Sequence, residues 1–200
     1  ERSWAVGVTT VPERLASGSL LRTLASLRSA GFPPPTICVD DERFPEKWKA
    51  VEEEWGNVTT RWPRVKTVGN WVLSAWELLI RNPLAGRFLM SQDDVLFCAN
   101  SRAYIDAVKW PEMSYLNLPT FGPNEAMVQG KGDGWHRGHP NNDDPVLQQG
   151  WGGAALAFTR DGLVACLSSF HLPKKVCDTK PDKRVGWLKG QLRVDGMIVT

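Results

Sequence analysis

Apolar and polar positions change period several times along the first half of the chain. Trp4 to Val8 predicts a short apolar strand that ends in a polar loop, Thr9-Thr10-Val11-Pro12-Glu13-Arg14. Leu20, Leu24 and Leu27 then share one helical face, so a helix is expected to run to about Ala30. Gly31 and the prolines after it are its stop. Thr36 to Val39 predicts a second strand ending on Asp40-Asp41, and Glu46 to Trp55 a charged surface helix. Arg64 to Val68 is expected as a third strand. Gly69-Asn70 would then open a helix with Asn70 as its N-cap and Val72, Trp76, Leu79 and Ile80 on its apolar face. Arg87 to Ser91 predicts a fourth strand running into Gln92-Asp93-Asp94, with Val95 to Cys98 extended and a helix from about Ser101 to Val108.

The second half has a different texture. Ser114 to Leu118 predicts a strand, and Pro119 to Gln149 is a long stretch rich in Gly, Pro, Asn and Asp without periodicity. A loop of that length in a compact domain points to function or mobility. Gly150-Trp151-Gly152-Gly153 leads into an apolar strand, Ala154 to Phe158, and a helix from about Asp161 to Phe170. The segment from His171 to Arg184 is basic and irregular. Strands alternating with helices predict an α/β fold: a mostly parallel central sheet with helices on both faces and a smaller β segment from the second half. We expect one domain over 1–200, divided into halves at 1–112 and 113–200. In such sheets ligands bind at the carboxyl ends of strands. Three polar clusters stand there: Thr9 to Arg14, Asp40-Asp41, and Gln92 to Asp94.

Composition narrows the class. The chain has 200 residues, 42% hydrophobic and 23% charged, with a net charge of +2. These are values of a water-soluble globular domain, and no run approaches the roughly 20 apolar residues of a membrane span. No signal peptide is visible, so a cytoplasmic setting is expected. Cys38, Cys98, Cys166 and Cys177 form no CxxC pair, which removes zinc spacing. Cys38 and Cys98 read as small buried hydrophobes within strands; reduced thiols are expected, with disulfides the alternative that an even count of four leaves open. His136, His139 and His171 are too scattered to form a metal cluster by sequence. Neither a GxxxxGK[ST] phosphate loop nor a GxGxxG fingerprint occurs, which disfavours P-loop hydrolases and typical NAD enzymes.

Candidate chemistry concentrates on a few residues. An apolar strand that delivers Asp93-Asp94 to its carboxyl end suits Mg²⁺ or Mn²⁺, which take oxygen ligands and complete their shells with phosphate and water. The bland alternative is a solvated turn. Asp143-Asp144, in a polar loop, reads as a turn. Arg14 is suited to pair with phosphate or to hold a loop carboxylate. Thr9 and Thr10 offer hydroxyls to a base or ribose, or simply end their strand, and Asp40 has the same two readings. The glycines around Trp151 suggest close backbone approach to a ligand, or a bulge. Most of the ten tryptophans read as packing residues; Trp135 and Trp151, beside glycines, are the better stacking candidates.

In their order, these features resemble the GT-A glycosyltransferase superfamily. The resemblance rests on Val6-Gly7-Val8-Thr9-Thr10 with Arg14, Val39-Asp40-Asp41, Gly69-Asn70 before a helix, Phe88-Leu89-Met90-Ser91-Gln92-Asp93-Asp94-Val95, and Gly150-Trp151-Gly152-Gly153-Ala154. It implies a GT-A-like Rossmann-type sandwich that transfers a sugar from a nucleotide-sugar donor, most simply a UDP-sugar, to an acceptor hydroxyl. By resemblance Thr9, Thr10, Arg14, Asp40, Asn70, Asp93, Trp151, Gly152 and Gly153 would hold the donor. Asp94 would be the direct Mn²⁺ or Mg²⁺ ligand of a DxD-like motif, in which Gln92 departs from the usual acid. Asp195 would be the carboxylate base of an inverting reaction. The late His that many relatives supply to the metal has no counterpart after His171. The loop from Gly122 to Gln149 would close over the donor.

The acceptor implied by the superfamily is a glycan, protein or lipid hydroxyl. A hydroxymethylated pyrimidine in DNA is a second option. It rests on a pI of about 8.4 and the basic stretch Lys174-Lys175 to Lys189, which otherwise reads as a solvated face. Two other classes compete: a non-enzymatic carbohydrate- or nucleic-acid-binding module, and a nucleotidyltransferase, which also uses paired acids with Mg²⁺.

Overall fold

The computed structural model describes residues 3–110, 115–118 and 154–168. Within them the chain alternates as β1 (Trp4–Thr10), α1 (Pro12–Ala16), α2 (Ser19–Ser29) and β2 (Thr36–Asp40). A 3-10 turn (Pro45–Trp48) then leads into α3 (Lys49–Trp55), β3 (Val58–Arg61), α4 (Lys66–Arg81), β4 (Arg87–Gln92) and α5 (Ser101–Ala107). Last come β5 (Tyr115–Asn117), β6 (Ala155–Thr159) and α6 (Arg160–Leu167).

The six strands form one sheet in the order β3-β2-β1-β4-β6-β5. The first four are mutually parallel, whereas β6 runs antiparallel to both β4 and β5. Side chains of a strand alternate between faces, and the core divides accordingly. Val6, Val8, Ile37, Val39 and Leu89 point to a layer with Leu20, Leu24 and Leu27 of α2, Val51 of α3 and Ile105 of α5. Ala5, Phe88, Met90 and Phe158 point the other way, onto Trp71, Val72, Ala75 and Leu78 of α4 and Leu163 and Leu167 of α6. This is the α/β sandwich expected from the alternation and from the GT-A resemblance. Gly7 lets α4 approach: a Cβ there would stand 2.9 Å from Met90 Sδ and 3.3 Å from Leu78 Cδ2.

Several local expectations are corrected. The single helix expected up to Ala30 is two, because Gly18 takes φ +71° between them, a conformation cheap only for glycine. The third strand is Val58–Arg61, not Arg64 to Val68. Val58, Thr59 and Thr60 are β-branched and suit the pleat, whereas Val68 belongs to the helical period of α4 with Trp71, Val72 and Ala75. Asn70 is therefore no N-cap. It lies in the second turn of α4, buried, and its Nδ2 donates to the Cys38 carbonyl at 3.0 Å, tying α4 to β2. The buried face of α4 is rotated from the one expected, leaving Trp76 and Ile80 exposed. Cys38 is buried in β2 as expected, but Cys98 is exposed and outside any strand. Burial raises the thiol pKa of Cys38 and of Cys166, the latter to about 11, which makes both unreactive at neutral pH. No described helix is long and apolar enough to cross a membrane.

Candidate active site at the carboxyl ends of β1 and β4

The strand order contains a switch point. From β1 the chain builds outward through β2 and β3, then returns to place β4 on the other side of β1. The segments leaving β1 and β4 both turn to the face that carries α2 and α5, where Thr10 and Ser19 bond to Asp93, so the two carboxyl ends share one polar corner at the end of the sheet where α/β folds bind ligands. Thr9 of β1 pairs in register with Gln92 of β4, so both strands end at that corner.

Asp93 and Asp94 occupy the turn directly after β4. The two adjacent carboxylates have different surroundings. Asp93 is 6% exposed, and its Oδ2 accepts from the Thr10 hydroxyl at 2.5 Å. Its carbonyl accepts from Ser19 Oγ at 2.8 Å, which pins the turn to the start of α2. Asp94 points outward, its side chain 46% exposed. Arg14 of α1 spans the pair, with Nε 3.6 Å from Asp93 Oδ1 and Nη2 3.5 Å from Asp94 Oδ2. Burial pushes the Asp93 carboxyl up from the ordinary aspartate value. The Thr10 hydroxyl and the Arg14 charge pull it back, and Asp94 pushes it up again. A desolvated acid beside a second acid is in want of positive charge.

Pro12 starts α1 two residues after the polar end of β1, where its missing N–H costs nothing. Alternation along β1 sends Thr10 to the α2 face, toward Asp93, and Thr9 to the α4 face, where its hydroxyl donates to the Ser91 carbonyl at 3.4 Å. The flanking Val95 and Phe97 pack partly into the core, whereas Leu96 is exposed, so the acids are less enclosed than an apolar run on both sides implies.

The second polar cluster lies one strand over. Asp40 ends β2, 2% exposed; its Oδ1 accepts from the Val65 N–H at 2.8 Å and so caps the start of α4. Arg64 reaches Asp40 Oδ2 at 3.9 Å and Asp41 Oδ2 at 3.8 Å. The structure thus gathers Thr10, Arg14, Asp93 and Asp94 into one corner. It sets Thr9, Asp40 and Asn70 on the opposite face of the sheet, each with a partner inside the fold. Ser19 and Arg64 were not among the expected residues. Ser19 falls inside the single helix expected up to Ala30, where a hydroxyl gives no local signal, and Arg64 falls inside the expected third strand. Trp151, Gly152, Gly153, Asp195, Trp135 and the basic stretch 174–189 lie outside the described residues.

Among the described residues no three His, Cys, Asp or Glu side chains converge on a metal position. Two aspartates are enough where phosphate and water complete the shell of a hard cation. The donor set fits: Asp94 presents half-exposed carboxylate oxygens, and the buried Asp93 carboxyl stands behind it.

No family model matches the chain, and no curated protein matches it. Among solved structures, the chain is similar to the apo structure of WbbM, a bifunctional glycosyltransferase, with a TM-score of 0.47 and 11% identity over 88% of this chain. The match covers 37% of that protein, so the chain spans well under half its length.

Proposed function

We propose that the protein is a glycosyltransferase that moves a sugar from a nucleotide-sugar donor, most simply a UDP-sugar, to an acceptor hydroxyl. One observation carries the reading: the acidic turn Asp93-Asp94 stands at the topological switch point, beside the polar end of β1 and within reach of Arg14. That is where an α/β sheet binds a nucleotide, and a diphosphate there meets both a guanidinium and a hard-cation site.

In this scheme Asp94 would hold Mn²⁺ or Mg²⁺, and Asp93, anchored by Thr10, would support it with a second carboxyl. When bound, the cation neutralises the charge that builds on the leaving diphosphate. Arg14 would supply a guanidinium to the diphosphate from the β1 side. The GT-A resemblance assigns the remaining chemistry to Asp195, which takes the proton of the acceptor hydroxyl. The hydroxyl oxygen bonds to the anomeric carbon as the bond to the nucleoside diphosphate breaks, inverting the centre. Trp151, Gly152 and Gly153 are assigned to the donor sugar on the same ground.

The test is thermal stability against a panel of nucleotide sugars, with and without Mn²⁺, for the wild type and Asp94→Ala. Binding to the folded state raises Tm, by about 2.7 kcal/mol of stabilisation at a hundredfold excess over Kd. We expect a metal-dependent shift in the wild type and none in Asp94→Ala. A wild type that no nucleotide sugar shifts, or an Asp94→Ala protein that responds like it, rejects the reading.

A further inference from the structure

Arg14 is more than a phosphate contact in waiting. Its guanidinium lies between two adjacent carboxylates, one of them almost fully buried, and is itself 44% exposed. Both contacts, at 3.6 and 3.5 Å, exceed the roughly 2.7–2.9 Å of a charge-assisted hydrogen bond. Arg14 thus neutralises the aspartates through space without being locked to either. The firm contacts of Asp93 come from Thr10 and Ser19, at 2.5 and 2.8 Å, and they hold the turn without Arg14.

We propose that Arg14 is the resident counter-cation of the Asp93-Asp94 turn: it occupies the charge position that the divalent metal takes, and leaves it for the donor diphosphate. The inference rests on the proposed donor site and adds regulation to it. Divalent metal alone must bind against the Arg14 charge, so the free protein has low metal affinity. A diphosphate offers guanidinium a better partner than two loosely placed carboxylates, because two parallel N–H···O bonds form to phosphate oxygens. Once Arg14 turns to the diphosphate, the aspartates lose their counter-charge and their affinity for the metal rises. Metal and donor then bind as a linked pair, each favouring the other. Metal bound without substrate is suppressed.

The experiment measures Mn²⁺ alone and UDP alone, each by titration calorimetry, on the wild type, Arg14→Gln and Arg14→Lys. A unit charge about 3.5 Å from the carboxylates in a water-like medium is worth about tenfold in affinity. We expect Arg14→Gln to bind Mn²⁺ about tenfold more tightly than the wild type and to bind UDP more weakly. The two affinities thus move in opposite directions, which general loosening of the site does not produce. Arg14→Lys keeps the charge and should hold Mn²⁺ affinity within about twofold of the wild type. If the wild type binds both ligands and Arg14→Gln leaves Mn²⁺ affinity unchanged or weaker, the counter-cation role is overturned and the donor site stands. If neither wild type nor variant binds Mn²⁺ or UDP, the proposed function falls and the counter-cation role falls with it.

Discussion

Two arginine–carboxylate contacts stand at opposite ends of the same pair of strands. At the amino ends of β1 and β4, Trp4 and Arg87 are register partners. The Arg87 guanidinium makes a tight contact to Asp106 of α5 and lies 4.5 Å from the Trp110 ring centre and 5.7 Å from that of Trp4. Asp106 also accepts from Trp4 Nε1 at 3.0 Å and pairs with Arg102 at 3.4 Å. Arg87 is 7% exposed. At the carboxyl ends, Arg14 makes the looser contacts to Asp93 and Asp94 and is 44% exposed. The residue types are the same, but their surroundings assign opposite roles. Aromatic walls remove water from Arg87 and strengthen its tight contact to Asp106, so it fastens α5 to the sheet. Water around Arg14 weakens its attraction to the acids and leaves it free to exchange them for a ligand.

This contrast orders the consequences of mutation. Arg87→Ala removes one partner of a buried pair and two cation–π contacts, and should cost about 3 kcal/mol, the low end for such pairs because Asp106 keeps 28% exposure. Urea denaturation measures it; a loss under about 1 kcal/mol would mean that the amino-end cluster is no more a fastener than the carboxyl-end one. Thr10→Val leaves the buried Asp93 carboxylate without its closest donor and should cost about 2 kcal/mol in the same assay. No loss there would make the Thr10 hydroxyl dispensable to the turn.

Glu42 sharpens the comparison from another side. It is a buried acid like Asp93, yet its pKa lies below the ordinary 4.5 because the Phe44 N–H and Trp48 Nε1 donate to it, more than offsetting burial. A depressed pKa gives stability that is complete above the unfolded value and is lost as pH falls through the folded one. Glu42→Gln should therefore flatten the decline in stability as pH falls below the ordinary glutamate range. An unchanged acid limb in urea melts at several pH values would contradict the assignment. The smallest effect on stability belongs to Arg14→Gln, expected within about 0.5 kcal/mol of the wild type as for a surface pair. A larger loss would make Arg14 structural and erase the difference from Arg87.

The legibility of these features in the sequence follows from their range. Strands β1, β2, β4 and β6 were readable because a parallel or interior strand is a short apolar run bounded by breakers. The third strand was not, because Val58-Thr59-Thr60 is polar at an edge, while Val65 and Val68 imitate a strand with residues that α4 uses. Asn70 looked like a cap because capping is a local pattern; its actual partner, the Cys38 carbonyl, is thirty-two positions away and invisible to local reading. Asp93 and Asp94 stood out as adjacent acids, but nothing in their spacing distinguishes the buried from the exposed one.

The chain by itself determined the order of strands and helices, the two-faced apolar pattern and the placement of polar residues at strand ends, because these depend on period and on neighbours a few residues apart. It also determined that Asp93-Asp94 ends an apolar strand. Only the tertiary structure decided that β4 pairs beside β1, which creates the switch point and brings Thr10 and Arg14 onto the acidic turn. It also decided that Thr9, Asp40 and Asn70 serve the other face of the sheet. Those outcomes depend on which strands become neighbours and which way each side chain alternates, quantities fixed by burying two apolar layers at once rather than by any single segment.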